Sequence, residues 1–104
     1  MDIQYTVGVA QGVPVTFIST GFDYTDGLNG FLDMANYLLA MDVPPQVLTT
    51  SYAFNERDLD IGLATNLCNA YMQLGARGTS IVRSYSIFYS ASIVDIISLV
   101  LRLG

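Results

Sequence analysis

The side chains that could carry acid–base chemistry in this sequence are almost all carboxylates. It has nine acidic residues against four basic ones, with no His, and its net charge is −5. Because His is the commonest general base and zinc ligand, any reaction would depend on carboxylates, hydroxyls or the single thiol of Cys68. Nucleic acid is not expected as a partner, since its phosphates require clustered Lys and Arg.

Asp2 is the acidic residue whose position is most informative, because no other charge occurs before Asp23. The pattern of "DIQYTVGVAQG" predicts a short helix over residues 2–12, with Asp2 in its first turn. From the residues alone, two interpretations are open. The carboxylate could be there because the helix dipole favours it, or it could be a catalytic acid.

The elements that follow alternate between strand and helix patterns. "VPVTFIST" and "QVLTTSY" are β-branched and predict buried strands, and "TSIV" predicts a third. Between them, "FLDMANYLLA" and a segment with Asp58 or Asp60 as its N-cap predict amphipathic helices. The fold class is therefore α/β, with three parallel strands and three flanking helices. In such sheets ligands bind at the carboxyl ends of strands, here after Ser19, Tyr52 and Val82.

The last segment, "RSYSIFYSASIVDIISLVLRLG", has a different pattern. Its polar residues recur every three or four positions, which predicts a C-terminal apolar helix with one polar stripe. Asp95 in mid-segment argues against a membrane span. Cys68 lies within the apolar pattern of the third helix, where a small buried side chain is expected.

Four blocks of the sequence, in order and at matching spacing, resemble the sedolisins, the serine-carboxyl peptidases. The blocks are "DIQYTVGVAQGVPVTFIST", "GFLDMANYLLA", "PPQVLTTSYAFNE" and "LATNLCNAYMQLGARGTSI", and the likeness is greatest to fungal secreted members of tripeptidyl-peptidase type. It covers roughly residues 2–82. We interpret residues 1–82 as a partial peptidase domain and residues 83–104 as an apolar tail outside the family pattern. The resemblance implies a partial subtilisin-like sheet in which acidic residues replace the usual His.

The resemblance also implies roles for individual residues. Asp2 matches the catalytic Asp of the family's Glu-x-x-x-Asp pair, whose spacing puts both carboxyl groups on one helix face. Ser51 and Tyr52 match the segment that pairs with the peptide substrate, and Ala53 stands where the family usually has Gly. Glu56 fits a residue that holds the following loop. Ser51 is not expected to be the nucleophile, because it lacks a Gly-x-Ser elbow.

Several features of the family find no match in this sequence. The Glu of the acidic pair would precede Met1, and Ile87 stands where the family has the Asp of its oxyanion site. The nucleophilic Ser and the calcium-binding loop would lie beyond residue 104. We therefore expect no metal ion or other cofactor on this chain, although full-length sedolisins carry calcium, and no activity from the chain alone.

Two functional hypotheses follow. The first is a fragment of a serine-carboxyl peptidase that acts on peptide or protein substrates at acidic pH. The resemblance implies that this peptidase is located outside the cell or in a lysosome or vacuole, although this chain shows no signal peptide. The alternative is a non-catalytic α/β interaction module. It would bind a peptide, a protein or a second copy of the chain through the "TTSYA" edge or the apolar tail.

Overall fold

The computed structural model describes residues 2–20, 29–51 and 60–83, together with the backbone of residues 97–101. These residues form three helices and four strands. In chain order they are α1 (Asp2–Val9), β1 (Val15–Ser19), α2 (Asn29–Leu39), β2 (Val47–Thr50), α3 (Ile61–Ala76), β3 (Ser80–Arg83) and β4 (Ile97–Leu101). The described part of the chain thus has the mixed helix and strand content of the predicted α/β class.

The four strands form one sheet in the order β1-β4-β2-β3. β2 and β3 are parallel neighbours joined through α3, as the crossover pattern predicts. β4 lies antiparallel to both β1 and β2, with Leu101 opposite Val15 on one side and Val47 on the other. β1, β2 and β3 therefore run in the same direction, but β1 and β2 are not neighbours.

The predicted C-terminal apolar helix is wrong over residues 97–101, because these residues form β4. The prediction of a purely parallel sheet is wrong for the same reason. The sequence Ile-Ser-Leu-Val-Leu suits a strand as well as a helix, and pairing with both β1 and β2 decides between the two. The rest of the predicted helix lies outside the described residues.

The core lies between the helices α2 and α3 and one face of the sheet. α2 contributes side chains at the spacing that the sequence predicts for an amphipathic helix. Leu48 of β2 is fully buried beneath the helices. The buried apolar residues are Phe31, Met34, Ala35, Leu38, Leu48, Leu67, Ala70 and Leu74.

Neighbouring residues explain where α3 begins and where it ends. Asp60 is its N-cap, because the Asp60 carboxylate accepts a hydrogen bond of 3.1 Å from the backbone N–H of Leu63. This confirms one of the two predicted caps. After Ala76 the chain turns at Gly78, whose φ of +92° is a conformation that glycine adopts without strain.

Cys68 is exposed, so the prediction that its side chain is buried is wrong. The buried stripe of α3 consists of Leu67, Ala70 and Leu74. Cys68 follows Leu67 by one residue, which is a rotation of about 100° around the helix and turns its side chain off that stripe.

Removing the N-cap should destabilise the chain measurably. We expect Asp60→Ala to lower the free energy of unfolding by about 1 kcal/mol, because a backbone N–H of the first turn of α3 loses its acceptor. Asp60→Asn keeps an acceptor oxygen and should cost clearly less. Urea denaturation of the three proteins measures the difference, and equal midpoints would contradict the capping role.

Arg77 connects the end of α3 to the end of α2. Its guanidinium donates hydrogen bonds to the backbone carbonyls of Leu39, Met41 and Asp42, the last two at 2.7 and 3.0 Å. These carbonyls lie at or beyond the C-terminus of α2, where the helix leaves acceptors unsatisfied. Arg77 thereby fixes the two helices to each other above the sheet.

Candidate functional site at the carboxyl ends of the parallel strands

The structure places the residues of the predicted site at separate positions. Asp2 is the first residue of α1 and is half-buried, and Ser51 follows β2 directly and is exposed. No hydrogen bond or ion pair links these two residues within the described part of the chain. Tyr52 and Ala53 lie outside the described residues, so the catalytic and substrate-binding roles remain predictions.

A cluster that the sequence does not predict lies at the carboxyl ends of β2 and β3. Arg83, the last residue of β3, stands opposite Thr50, the last residue of β2. Both side chains face the helices, because Leu48, two residues before Thr50, belongs to the core beneath α2 and α3. The cluster therefore joins both parallel strands to the helices that cover them.

Two aromatic rings hold the guanidinium of Arg83. The guanidinium carbon lies 4.3 Å from the centroid of the Tyr71 ring, on α3, and 5.9 Å from that of the Phe31 ring, on α2. Both distances are within the range of cation–π attraction. The guanidinium thus lies over the face of the Tyr71 ring.

Two buried hydroxyl groups of the cluster have no hydrogen-bond partner in the described part of the chain. They are the Oγ1 of Thr50 and the hydroxyl of Tyr71. Thr50 is only 1% exposed, so bulk water does not satisfy its hydroxyl. Burial raises the pKa of Tyr71, and the positive charge of Arg83 offsets part of that rise.

The raised pKa of Tyr71 predicts a loss of stability in alkali. The neutral phenol is favoured in the folded state, so its contribution is complete below the unfolded pKa of 10.0 and is lost as pH rises through the higher folded value. From about pH 8 to about pH 11, we expect the free energy of unfolding to fall less for Tyr71→Phe than for the unmodified chain. The midpoints of urea denaturation, determined at several pH values between these limits, measure this difference. Tyr5→Phe, at a ring 69% exposed, is the control and should follow the unmodified chain.

A cavity of about 630 Å³ opens between β1 and α2. Its walls include the apolar side chains of Phe17, Met34 and Leu38, and Asp33 also lines it. Thr20, just after β1, lines it as well and has a buried hydroxyl without a partner in the described residues. The cavity thus reaches the carboxyl end of β1, which is one of the three strand ends at which the sequence predicts ligand binding.

The described residues contain no cluster of three or more Cys, Asp or Glu side chains. No helix in the described ranges is long and apolar enough to cross a membrane.

Known proteins with similar sequences are fungal peptidases. The chain is 31% identical over 97 residues to proteins described as probable tripeptidyl-peptidase SED3 in Arthroderma benhamiae and in Trichophyton verrucosum. It is 30% identical over 98 residues to tripeptidyl-peptidase SED2 of Arthroderma otae. Each match covers 81% of this chain and 16% of the relative. No family model matches the chain, and no solved structure matches it.

The described fold is of the α/β class, and the similar proteins are named as tripeptidyl-peptidases. The resemblance noted in the sequence is confirmed, and the chain belongs to the sedolisin family. It spans 16% of the length of the tripeptidyl-peptidases that it matches.

Proposed function

We propose that the chain is one part of a sedolisin-type serine-carboxyl peptidase, to which it contributes a catalytic acid and part of the substrate cleft. The observation that supports this is the 31% identity over 97 residues to proteins named as tripeptidyl-peptidases. We expect the chain by itself to hydrolyse no peptide bond, because Ile87 stands where the family has the Asp of its oxyanion site. Loss of one oxyanion donor typically costs about 2.7–4 kcal/mol of transition-state stabilisation.

Asp2 acts as the second acid of a coupled pair. A Glu one helical turn earlier accepts the proton of the nucleophilic Ser, and the Asp2 carboxyl holds and polarises that Glu. Asp2 is at the first residue of α1, where a partner one turn earlier would share its helix face. Two acids that share a proton do so best at low pH, so the peptidase acts in acid.

The peptide substrate pairs with the backbone that follows β2. From Val47 to Thr50, β2 is already paired with β3 on one edge and with β4 on the other. A peptide can therefore add only beyond Thr50, where Ser51 is exposed and Tyr52 and Ala53 follow. The methyl group of Ala53, at a position usually held by Gly, weakens this docking.

The resemblance also supports a location and a setting. We infer that the peptidase to which this segment belongs acts outside the cell or in a lysosome or vacuole, where the pH is acidic. An acidic composition without Lys is consistent with such a setting.

The isolated chain and a chimera together test the proposal. We expect the 104-residue chain to release no product from a peptide at acidic pH above the level of its Asp2→Asn variant. A chimera of Arthroderma benhamiae SED3, with the aligned segment replaced by this chain's residues 2–83, should retain measurable hydrolysis. Hydrolysis by the isolated chain that Asp2→Asn abolishes would contradict the predicted inactivity. A chimera that folds like SED3 but is inactive would contradict the proposed role.

A second candidate function is a non-catalytic interaction module. It is favoured by the apolar side chains that α1 exposes, namely Ile3, Tyr5, Val7 and Val9. Such a module would bind a peptide, a protein or a second copy of the chain. Sedimentation at several concentrations would detect self-association, and a monodisperse monomer without affinity for peptides would eliminate this candidate.

A further inference from the structure

We propose that Arg83, Thr50 and Tyr71 form a binding site for a carboxylate at the carboxyl ends of the parallel strands β2 and β3. The guanidinium of Arg83 binds the two carboxylate oxygens, and the two hydroxyl groups donate to them. This inference does not depend on the peptidase assignment, because it rests only on the geometry and charge of this cluster.

The position of the cluster is the first argument. Arg83 and Thr50 are opposite each other in the register of a parallel strand pair, and each is the last residue of its strand. In open α/β sheets, ligands bind outside the carboxyl ends of such strands. A positive group and a buried hydroxyl at adjacent strand ends are suited to an anionic ligand.

The orientation of Arg83 is the second argument. Its guanidinium is held over the rings of Tyr71 and Phe31, at 4.3 and 5.9 Å from their centroids. A guanidinium stacked on an aromatic face keeps its N–H groups in the plane of the fork, where they can donate to a carboxylate in bidentate fashion. The stacking therefore reduces the loss of side-chain freedom when the ligand binds.

The unsatisfied hydroxyl groups are the third argument. The Thr50 side chain is 1% exposed, and neither its Oγ1 nor the hydroxyl of Tyr71 has a partner in the described part of the chain. Buried polar groups without a partner are rare and call for an explanation, such as a ligand. A carboxylate on Arg83 gives both hydroxyl groups an acceptor.

The charge balance favours a carboxylate over a phosphate. One guanidinium and two neutral donors provide a single positive charge, which a carboxylate neutralises and a phosphate dianion exceeds. In a chain of net charge −5, excess negative charge on the ligand is unfavourable.

Titration of the 104-residue chain tests the site, with N-acetyl-trialanine as the probe and its C-terminal amide as the matched ligand. Backbone amide shifts of Thr50 and Arg83 in ¹H–¹⁵N spectra report binding. We expect the acid to shift these signals and the amide to leave them unchanged. Acetate and inorganic phosphate form two further arms. If acetate binds with the same affinity as the peptide acid, the site recognises the carboxylate group alone. If acetate binds with lower affinity, the site recognises the C-terminus of a peptide.

Variants separate the contributions of the three residues. Arg83→Gln should weaken binding of the acid by about tenfold or more, because the charge and the fork are both lost. Thr50→Val and Tyr71→Phe should each weaken it by roughly threefold. Thr49→Val, on the opposite face of β2, is the control and should bind like the unmodified chain.

Three results would overturn the proposal. They are equal binding of acid and amide, unchanged affinity in Arg83→Gln, and shifts with phosphate but not with the peptide acid. If Arg83→Gln fails to fold, the comparison of acid and amide on the unmodified chain decides the question by itself. Because none of these measurements uses hydrolysis, their failure is distinguishable from failure of the peptidase assignment.

Discussion

Replacing Asp2 by Asn in the SED3 chimera is expected to lower kcat by about 10²–10⁴-fold, with a much smaller change in KM. An amide cannot share a proton with the neighbouring Glu, so the acid that receives the proton of the nucleophile loses its partner. α1 itself should persist, because Asp2 is its first residue and Asn is tolerated at helix starts. Initial rates over a range of peptide concentrations at acidic pH separate the two constants.

A matched control for Asp2→Asn is available in the same chimera. Asp42→Asn changes an exposed carboxylate after α2, and the backbone carbonyl of Asp42 still accepts its hydrogen bond from Arg77. This variant should keep the kcat of the chimera. If both substitutions reduce kcat equally, the loss reflects general charge or stability and Asp2 has no catalytic role.

Much of the fold could be predicted from the sequence because its signals are local. The spacing of Phe31, Met34 and Leu38 places one face of α2 in the core, as the period of an α-helix requires. Asp60 caps α3 through its own side chain, which reaches an N–H three residues later. Such features depend on neighbouring residues alone, so a single sequence is sufficient to predict them.

The features that could not be predicted depend on contacts between distant segments. Residues 97–101 become β4 because they pair with both β1 and β2, although their own pattern also suits a helix. The Arg83 cluster combines residues from β2, β3, α2 and α3, and its most distant members, Phe31 and Arg83, are 52 positions apart in the sequence. No local spacing brings Phe31 and Arg83 together, and only the packed sheet and helices do so.

The two candidate sites of the chain also differ in what supports them. The roles proposed for Asp2 and for the segment after Thr50 rest on the family to which the chain belongs. The carboxylate site is built from side-chain geometry and is described on four elements. Thr50 ends β2 between the two candidate sites, because it lies opposite Arg83 in the strand register and directly before Ser51.

Phe31→Ala is expected to give the largest loss of stability among core substitutions, about 3–5 kcal/mol. Phe31 is 2% exposed and belongs to the core shared by α2, α3 and the sheet, so its removal leaves a cavity that the surrounding side chains fill only in part. Urea denaturation measures the loss, provided that the dependence of the free energy of unfolding on urea concentration has the same slope in both proteins. Phe31→Leu should cost less stability because it keeps much of the buried volume. Tyr37→Ala, at a ring 60% exposed on the same helix, should cost under about 1 kcal/mol.

Phe31 also supports Arg83, and this second role can be measured separately from the first. If the Phe31 ring helps to orient the guanidinium, Phe31→Leu should weaken binding of the peptide acid even under conditions where the variant is fully folded. In the Arg83→Gln background the same substitution should have no further effect on binding, since the guanidinium that the ring supports is absent. Equal weakening in both backgrounds would show that Phe31 acts on the site through general packing, and stability would then be its only role.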